Sequence, residues 1–207
     1  MKITKYGHSC ILVEDQGKTI LVDPGIYTYN DKTLNINSFS SLDFIAITHE
    51  HADHMHIPLI EEILNKFPKT QIVTNHSVAN ILSKENIETI KENEYIKLEN
   101  TPHEKIFMGP SPENSMLTLF GRLTHPGDSL SFNKSSDILA LPITAPWGST
   151  TWATETALRV KPKTIIPIHD WHWKDEARKI FYDRLEEYFI KNNMVFKKLE
   201  NGEAIEI

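Results

Sequence analysis

The sequence predicts a mixed α/β domain in which helices and strands form separate layers. Two observations favour this fold class. Short segments rich in β-branched residues dominate the first 25 residues, and from residue 44 onward strand-like and helix-like segments alternate irregularly. No internal repeat or low-complexity tract interrupts the 207 residues, and this length suits a single domain over residues 1–207.

The N-terminal part is predicted to be a β-meander. Residues 2–6, 10–14 and 19–23 are strand-like, and the Asp15-Gln16-Gly17 turn joins the second segment to the third. Residues 26–43 are polar and aromatic without a clear period, and we interpret them as a loop at the rim of a site.

The next predicted strand leads directly into a histidine-rich segment. Residues 44–48 are mostly apolar and immediately precede His49. Residues 57–67 have apolar side chains at helical spacing, which predicts a helix. Residues 71–74 are strand-like, and a second helix is predicted from Ser77, which can cap it, to residue 84.

The second half of the chain continues the mixed pattern. Strands are predicted at residues 95–98, 105–108, 116–120, 122–124 and 138–141. A helix at 151–160 is followed by an apolar strand at 164–168, and a long amphipathic helix follows at 175–189. Residues 195–199 and 204–207 are predicted to form a closing hairpin across the Asn201-Gly202 turn.

Composition excludes several classes of partner. The formal net charge is -6, which argues against a broad surface for nucleic acid or anionic membranes. No apolar run approaches the length of about 20 residues that a membrane helix needs. Cys10 is the single cysteine and the N-terminus lacks the apolar core of a signal peptide, so we expect a cytoplasmic protein. The oligomeric state stays open, and a homo-oligomer is compatible with the sequence.

The strongest chemical signal is the segment Thr48-His49-Glu50-His51-Ala52-Asp53-His54. Four of the ten histidines fall within residues 49–56. In an extended or tightly turned segment, His49 and His51 can point to one side while Asp53 and His54 turn toward a second point. Three imidazoles and one carboxylate are ligands that zinc, iron and manganese accept. Such clustering is hard to explain by packing, and the segment predicts a metal site.

Additional ligands must come from later in the chain, because four residues cannot complete two metal sites. His103 precedes a predicted strand, Asp128 lies in a turn after a strand, and His169 ends an apolar strand. Taken singly, each has an ordinary structural explanation as a satisfied polar residue. His125 is close enough to Asp128 in sequence to compete with His103 for the role of the third histidine.

Together these motifs resemble the metallo-β-lactamase superfamily, and within it the branch related to L-ascorbate-6-phosphate lactonase. The resemblance extends from residue 7 to residue 169. It rests on five motifs: Gly7-His8-Ser9, Asp23-Pro24-Gly25, the His-x-His-x-Asp-His pattern of residues 49–54, Gly127-Asp128 and Ile165-Ile166-Pro167-Ile168-His169.

The resemblance implies a four-layer αββα sandwich with two divalent metal ions at one edge, between the two sheets. It also implies how the candidate ligands are shared. One metal would be held by His49, His51 and His103, the other by Asp53, His54 and His169, with Asp128 bridging them.

The expected activity is metal-dependent hydrolysis. Two neighbouring ions, zinc in the first place with manganese or iron as alternatives, lower the pKa of a shared water from about 15.7 to about 7 and supply a hydroxide nucleophile. Asp53 would be catalytic, orienting that nucleophile or carrying its proton. We expect a small-molecule substrate with an ester, lactone or phosphoester bond.

Six further residues are candidates to support the ligands or to line a substrate pocket: His8, Asp23, His125, Trp147, Trp171 and His172. Asp23 and His125 would hydrogen-bond or back the ligand imidazoles. The tryptophans suit a ligand pocket, and His172 suits a proton donor or substrate contact. Each has a plainer alternative: turn chemistry for Asp23, a solvated histidine for His8 or His172, and core packing for the tryptophans.

Three competing functions remain open at this point. A phosphodiesterase or nuclease would use the same ligands, although the acidic net charge and the lack of a basic arm count against a nucleic-acid substrate. A non-haem iron redox protein is permitted by histidine-rich ligation. A metal-stabilised binding protein without catalysis is the third, and it is disfavoured because the candidate ligand set is complete.

Overall fold

A computed structural model describes residues 1–107 and 109–207 of the chain. Within them the strands form two sheets, and the first sheet has seven strands. In chain order these are β1 (Lys2–Lys5), β2 (Ile11–Asp15), β3 (Lys18–Val22), β4 (Phe44–Ile47), β5 (Gln71–Thr74), β6 (Thr89–Ile90) and β13 (Ala204–Glu206). Their spatial order is β13-β1-β2-β3-β4-β5-β6. The pairs from β13 to β3 are antiparallel, and the pairs from β3 to β6 are parallel.

The second sheet has six strands in the described residues. They are β7 (Ile96–Asn100), β8 (Ser115–Leu119), β9 (Leu123–His125), β10 (Ile138–Pro142), β11 (Thr164–Ile168) and β12 (Val195–Phe196). Their spatial order is β12-β11-β10-β9-β8-β7. The β7-β8-β9 part is antiparallel, and the strands from β9 to β12 run parallel.

The helices cover the outer faces of the two sheets. They are α1 (Ile26–Asn30), α2 (Ile57–Lys66), α3 (His76–Lys84), α4 (Thr150–Val160) and α5 (Asp175–Lys191), with a short 3-10 helix at Ile36–Ser38. One cluster of buried side chains joins α2 and α3 to the outer face of the first sheet. A second joins α4 and α5 to the outer face of the second sheet.

The inner faces of the sheets pack against each other through a third apolar cluster, which includes Val22 from the first sheet and Ile166 from the second. Strand β4 shows how one short sequence serves two layers. Phe44 and Ala46 face the other sheet, whereas Ile45 and Ile47 face the helices, as the two-residue period of a strand requires. The layers are therefore helix, sheet, sheet and helix, which confirms the predicted αββα sandwich.

Parallel strands bring their carboxyl ends to one edge of each sheet. Strand β4 ends just before Thr48 and β11 ends just before His169. The two sheets are joined at this edge by the hydrogen bond from the Ser115 amide to the Thr48 carbonyl, at 3.0 Å. The His169 amide likewise donates to the His8 carbonyl at 3.0 Å. This edge carries the candidate site.

Three predictions of local structure are wrong. Residues 26–43 include helix α1 and the 3-10 helix, which are too short for a helical period to show in the sequence. Residues 105–107 are not a strand, and the last residue of that predicted segment, Met108, lies outside the described residues. The closing hairpin does not form either.

The two C-terminal segments belong to different sheets, since β12 pairs with β11 and β13 pairs with β1. Packing decides this pairing. Phe196 is buried beside Phe189 of α5, with ring centroids 5.7 Å apart, and this contact holds β12 on the second sheet. The Gly202 amide donates to the Lys5 carbonyl at 2.7 Å, which directs the following residues onto β1.

None of the helices formed by the described residues has both the length and the apolar content that crossing a bilayer requires.

Candidate metal centre

The histidine-rich segment forms a tight turn directly after β4. His49 and His54 are fully buried, and His51 and Asp53 are partly exposed. The amides of His54 and Met55 both donate to the His51 carbonyl at 2.9 Å, which closes the turn. The turn separates the side chains of the segment into two groups.

The first group contains His49, His51, His103 and Asp128, whose ligand atoms all lie within 4.8 Å of one another. His51 Nδ1 is 3.1 Å from His49 Nε2 and 3.2 Å from His103 Nε2. Asp128 Oδ2 is 3.4 Å from His103 Nε2 and 3.7 Å from His49 Nε2. Three imidazoles from two distant segments thus converge on one carboxylate oxygen.

The second group contains His8, Asp53, His54 and His169, again with ligand atoms within 4.8 Å of one another. Asp53 Oδ2 is 3.0 Å from His8 Nε2 and 3.9 Å from both His54 Nε2 and His169 Nε2. The family resemblance implied that Asp53, His54 and His169 lie together, and His8 was predicted to support the ligands or to contact the substrate. The structure brings His8 into the same group.

Asp128 lies between the two groups. Its Oδ1 is 3.0 Å from His54 Nε2 and 3.3 Å from His169 Nε2, while its Oδ2 faces the first group. The backbone beside Asp128 fits between Asn114 and Thr48 because residue 127 is a glycine. It has φ +59°, and a Cβ there would lie 2.1 Å from Asn114 Oδ1 and 2.9 Å from Thr48 Cβ. A side chain at residue 127 would therefore push Asp128 away from the site.

Four of the imidazoles are oriented by contacts on the side that faces away from Asp128. In each case Nδ1 lies at hydrogen-bond distance from an oxygen atom, to which its N–H donates. The contacts are His49 with Thr48 Oγ1 at 3.0 Å, His54 with Asp23 Oδ2 at 2.7 Å, His103 with the Glu104 carbonyl at 2.6 Å and His169 with the Thr144 carbonyl at 2.8 Å. In the neutral ring Nε2 is then unprotonated, and its lone pair is directed toward the side of the ring on which Asp128 lies.

The inward-facing atoms fit divalent cations. His54 Nε2 and His169 Nε2 lie 3.0 and 3.3 Å from Asp128 Oδ1, but among the described residues none of these three buried atoms makes a hydrogen bond of acceptable geometry. Buried polar atoms are usually paired, so three such atoms within one cluster indicate a ligand site. Imidazole nitrogen and carboxylate oxygen are the donor types of zinc, iron and manganese sites.

Burial keeps several of these imidazoles neutral. Burial, reinforced by His54, holds the pKa of His49 well below its usual value. Burial and the nearby His169 lower the pKa of His8 to about 3, despite its contact with Asp53. Partial burial and His103 lower the pKa of His51. A neutral imidazole is the form that binds a metal.

The carboxylates of Asp128 and Asp23 instead favour the protonated form of the imidazoles that they contact. Burial opposes charge on His54 and His169, but Asp128 raises the pKa of both, and Asp23 adds to the effect on His54. Burial would also raise the pKa of Asp128, yet His169 and His54 hold it well below the usual range. For Asp53, the hydrogen bond from His8 outweighs burial and lowers the carboxyl pKa. Both carboxylates are therefore ionised at neutral pH.

His103, and not His125, lies with His49 and His51. Both ring nitrogens of His125 have other contacts: Nε2 is 3.1 Å from the Ser9 carbonyl, and Nδ1 accepts from the Gly127 amide at 3.3 Å. His125 is fully buried behind the ligand groups.

Asp23 also lies behind the ligands. Besides the His54 contact, its carboxylate accepts hydrogen bonds from the Thr48 amide and the Thr48 hydroxyl, both at 2.8 Å. Gly25, two residues later, makes this turn approach the Asp53 backbone so closely that a Cβ would lie 1.8 Å from the Asp53 carbonyl oxygen.

A cavity of about 300 Å³ opens onto the two groups. Its walls combine ionisable residues of the site with aromatic and aliphatic side chains. The lining residues are Tyr27, His51, Asp53, Ile106, Phe107, Asp128, Pro146, Trp147, His169 and His172. A cavity of about 500 Å³ lies near the opposite ends of β4 and β5, and its lining contains no histidine among the described residues.

The predicted pocket residues occupy different positions relative to this cavity. Trp147 and His172 line it, and Trp147 Nε1 donates to Asp128 Oδ2 at 2.9 Å. Trp171 does not line it but stacks on Tyr27, with ring centroids 3.9 Å apart and an interplanar angle of 3°. Sequence reasoning missed Tyr27 itself, although it lies in the segment interpreted as a rim.

A buried ion pair next to His169 was also missed. Lys5 is 1% exposed, and its Nζ donates to Asp170 Oδ2 at 2.7 Å and to the Tyr182 hydroxyl at 3.0 Å. Asp170 directly follows His169 in the chain. The signal available in the sequence was a lysine within a strand whose neighbouring residues are buried.

Several known proteins are similar to this chain in sequence or in fold. Protein Rv0786c of Mycobacterium tuberculosis is 29% identical over 201 residues, which cover 90% of this chain and 92% of that protein. A Lysinibacillus sphaericus protein named UPF0173 metal-dependent hydrolase is 29% identical over 199 residues, with 82% and 85% covered. The metallo-beta-lactamase fold protein YhfI from Bacillus subtilis superposes with a TM-score of 0.68 at 16% identity, covering 99% of this chain and 98% of that one.

The sequence pattern of the beta-lactamase superfamily domain matches residues 2–169, a range that includes every candidate ligand. The chain belongs to the beta-lactamase superfamily. Its architecture is the metallo-β-lactamase fold, as the motifs predicted. Membership in the branch related to L-ascorbate-6-phosphate lactonase stays a prediction.

Proposed function

We propose that this member of the beta-lactamase superfamily is a dinuclear metal-dependent hydrolase that cleaves a small ester, lactone or phosphoester. The observation that carries the proposal is the convergence of two groups of imidazoles and carboxylates on the two oxygens of Asp128. The names of relatives such as the Lysinibacillus sphaericus metal-dependent hydrolase support the reaction class. Zinc is the first candidate, because the ligand set is rich in imidazole.

The proposed ligands divide as the two groups do. His49, His51 and His103 would hold one ion, Asp53, His54 and His169 the other, and Asp128 would contact both. When bound, such ions supply activated water at neutral pH and polarise the bond to be cleaved. The protein contributes the orientation of the ligands, since the Nδ1 contacts fix the rings before any ion binds.

Asp53 is proposed to guide the attacking water and to carry its proton. Its side chain is 23% exposed and lines the cavity, so the carboxylate reaches both the ligand group and the substrate space. His8 Nε2 lies 3.0 Å from Asp53 Oδ2. The lowered pKa of His8 keeps its imidazole neutral, so that it binds the Asp53 carboxylate as a neutral hydrogen-bond donor. This arrangement restricts the rotation of Asp53 without neutralising its charge.

His172 is the proposed proton donor to the leaving group or a substrate contact. It lines the cavity, and burial followed by His169 lowers its pKa, which favours the neutral ring as a hydrogen-bonding contact to the substrate. Donation of a proton to the leaving group would require the imidazolium form, which the lowered pKa makes less populated at neutral pH. The remaining expectations stand as parts of the proposal. The substrate is a small molecule, as the cavity volume supports, and the protein acts in the cytoplasm.

The test combines metal analysis with a substrate panel. Metal-reconstituted protein should contain two ions per chain and should hydrolyse at least one ester or lactone. Asp128→Asn should lose both the two bound ions and the hydrolytic activity, because it removes the negative charge of the carboxylate whose two oxygens face the two candidate ion positions. Asp137→Asn is the matched control, since Asp137 is an exposed surface residue paired with Lys163.

Unchanged turnover in Asp128→Asn would overturn the assignment. Bis-p-nitrophenyl phosphate in the same panel, and oxygen uptake measured beside it, distinguish the alternatives. Preferential cleavage of the phosphodiester would indicate a phosphodiesterase, and oxygen consumption without hydrolysis would indicate a redox protein.

A further inference from the structure

The walls of the cavity differ from its floor. The floor is formed by the ligand groups, whereas the part farther from them is aromatic and aliphatic. Trp147 and Pro146 follow the β10 strand, Ile106 and Phe107 come from the segment after His103, and Tyr27 comes from α1. A substrate that reaches the ligand groups with its reacting bond can place its remaining atoms against these five side chains, of which Phe107 is largely exposed.

The charges around the cavity are acidic or neutral. Among the described lining residues the ionisable groups are two aspartates, three histidines and Tyr27, and none is lysine or arginine. Phosphate and carboxylate groups are usually bound by arginine or lysine, which pair with them through charge-assisted hydrogen bonds. A second anionic group on the substrate would therefore lack a cationic side chain among these lining residues.

In the described part of the chain, the two cations that lie within 4 Å of Asp170, the residue after His169, are already paired. Lys5 Nζ is bound to Asp170 at 2.7 Å. Arg178 is bound to Glu200 at 2.6 Å and to Asp175 at 3.0 Å. Recruiting Lys5 to a substrate would leave the buried Asp170 carboxylate without its closest cation, which is unfavourable. Recruiting Arg178 would break its pairs with Glu200 and the exposed Asp175.

One aromatic wall is held rigidly. The Tyr27 ring lies parallel to the Trp171 ring, with centroids 3.9 Å apart, and Trp171 Nε1 donates to Asp31 Oδ2 at 2.6 Å. A ring that is fixed in this way presents a preformed flat surface, which favours a flat apolar group over a flexible one. The volume of about 300 Å³ accommodates a ligand at the small end of the usual range.

On the assumption that the proposed hydrolase function is correct, we infer that the substrate is a small uncharged ester or lactone with a flat apolar group beside the scissile bond. The part of the substrate remote from the reacting bond carries no phosphate or carboxylate. This inference disfavours a phosphorylated sugar lactone, the type of substrate to which the sequence resemblance alone points.

A matched lactone series tests the inference. Metal-reconstituted enzyme is assayed with dihydrocoumarin as the flat aromatic lactone, γ-butyrolactone as the small aliphatic one, and 6-phosphogluconolactone as the anionic one. A choline ester adds a cationic arm. The value of kcat/KM should be highest for dihydrocoumarin. Because its phenol leaving group already makes this lactone more reactive than γ-butyrolactone, the ratio of the two kcat/KM values is compared with the ratio of the two hydroxide-catalysed rates, which it should exceed by about tenfold, the size of effect that one good aromatic contact and its buried area produce.

A pair of variants connects the preference to the cavity wall. Tyr27→Leu should lower kcat/KM for dihydrocoumarin by about tenfold, mainly through KM, with a smaller loss for γ-butyrolactone. Metal content per chain should stay unchanged. Tyr29→Leu is the control, because Tyr29 lies on the same helix, contacts His56 and does not line the cavity.

The outcomes separate the two proposals. If fully metal-loaded protein hydrolyses none of the four compounds nor any ester in the wider panel, the proposed function fails. If it hydrolyses them but prefers the phosphorylated lactone or the choline ester, the hydrolase function stands and the substrate inference is wrong. Equal effects of Tyr27→Leu on the aromatic and aliphatic lactones would also overturn the inference.

Discussion

Thr48 joins the candidate ligand His49 and the Asp23 carboxylate in one small hydrogen-bond network. Its hydroxyl donates to Asp23 Oδ2 at 2.8 Å and is 3.0 Å from His49 Nδ1, and the residue is fully buried. Thr48→Val keeps the shape but removes both contacts. Asp23 retains the Thr48 amide and His54 as donors, so the uncompensated group is mainly the Nδ1–H of His49.

The expected magnitude follows from that one group. Leaving a buried donor unsatisfied costs about 1–3 kcal/mol in the free energy of unfolding. Losing the contact that orients a metal-binding imidazole lowers metal affinity by about 10–100-fold. Urea unfolding of metal-free protein measures the first quantity, and competition with a chromophoric chelator measures the second.

Thr74→Val is the matched control for this prediction. The Thr74 hydroxyl is also buried, but it donates to the Ile47 carbonyl at 3.0 Å and touches no candidate ligand. This variant should lose about 1 kcal/mol of stability and keep wild-type metal affinity. If Thr48→Val binds metal as tightly as Thr74→Val does, the argument that Thr48 orients His49 is wrong.

Three further predictions concern stability. Lys5→Met should cost about 3–5 kcal/mol in urea unfolding, because it leaves the buried Asp170 carboxylate without its closest cation; a loss below about 1 kcal/mol would contradict this. Gly25→Ala should cost about 1–3 kcal/mol or more and lower metal content, since its Cβ would overlap the Asp53 carbonyl oxygen; wild-type metal content would refute the close approach. Burial lowers the pKa of His125. Below about pH 6.5 the unfolded chain therefore binds a proton at this residue that the folded chain does not. The free energy of unfolding then decreases as the pH is lowered, by up to about 1.4 kcal/mol per pH unit. His125→Gln in chelator-treated protein should therefore show a shallower fall, and an unchanged slope would exclude His125 as a contributor.

The sequence predicted regular structure best where the pattern was long and local. Helix α2 was expected at residues 57–67 and is observed at Ile57–Lys66. Strand β11 was expected at 164–168 and is observed at Thr164–Ile168. In α2 the helical period of the apolar side chains carries the information, because one face of the helix is buried. In β11 a short uninterrupted apolar run carries it, because both faces of the strand are buried.

Local patterns failed where another layer of the fold decided the outcome. Asn201-Gly202 is a good hairpin turn, yet the flanking strands join different sheets because Phe196 packs beside α5. A turn signal describes four residues and contains no information about which sheet edge is free. Strand β6 was missed for a related reason, since its two residues are too few for a period to show.

The candidate site divides in the same way. The composition and spacing of residues 49–54 predicted metal-ligand chemistry without reference to any other part of the chain, because a short turn already sets the directions of its own side chains. The strand ends at Asp128 and His169 could be proposed, since carboxyl ends of neighbouring parallel strands meet at one edge.

Only the tertiary structure placed His103, and not His125, beside His51, brought His8 against Asp53, and stacked Trp171 on Tyr27. These are contacts between segments that are distant in the sequence. They depend on how two sheets are aligned face to face, and that alignment arises from packing across all the layers together. Residue type and spacing therefore indicated which chemistry is available, while the register of the sheets determined which side chains lie together and which residues line the cavity beside them.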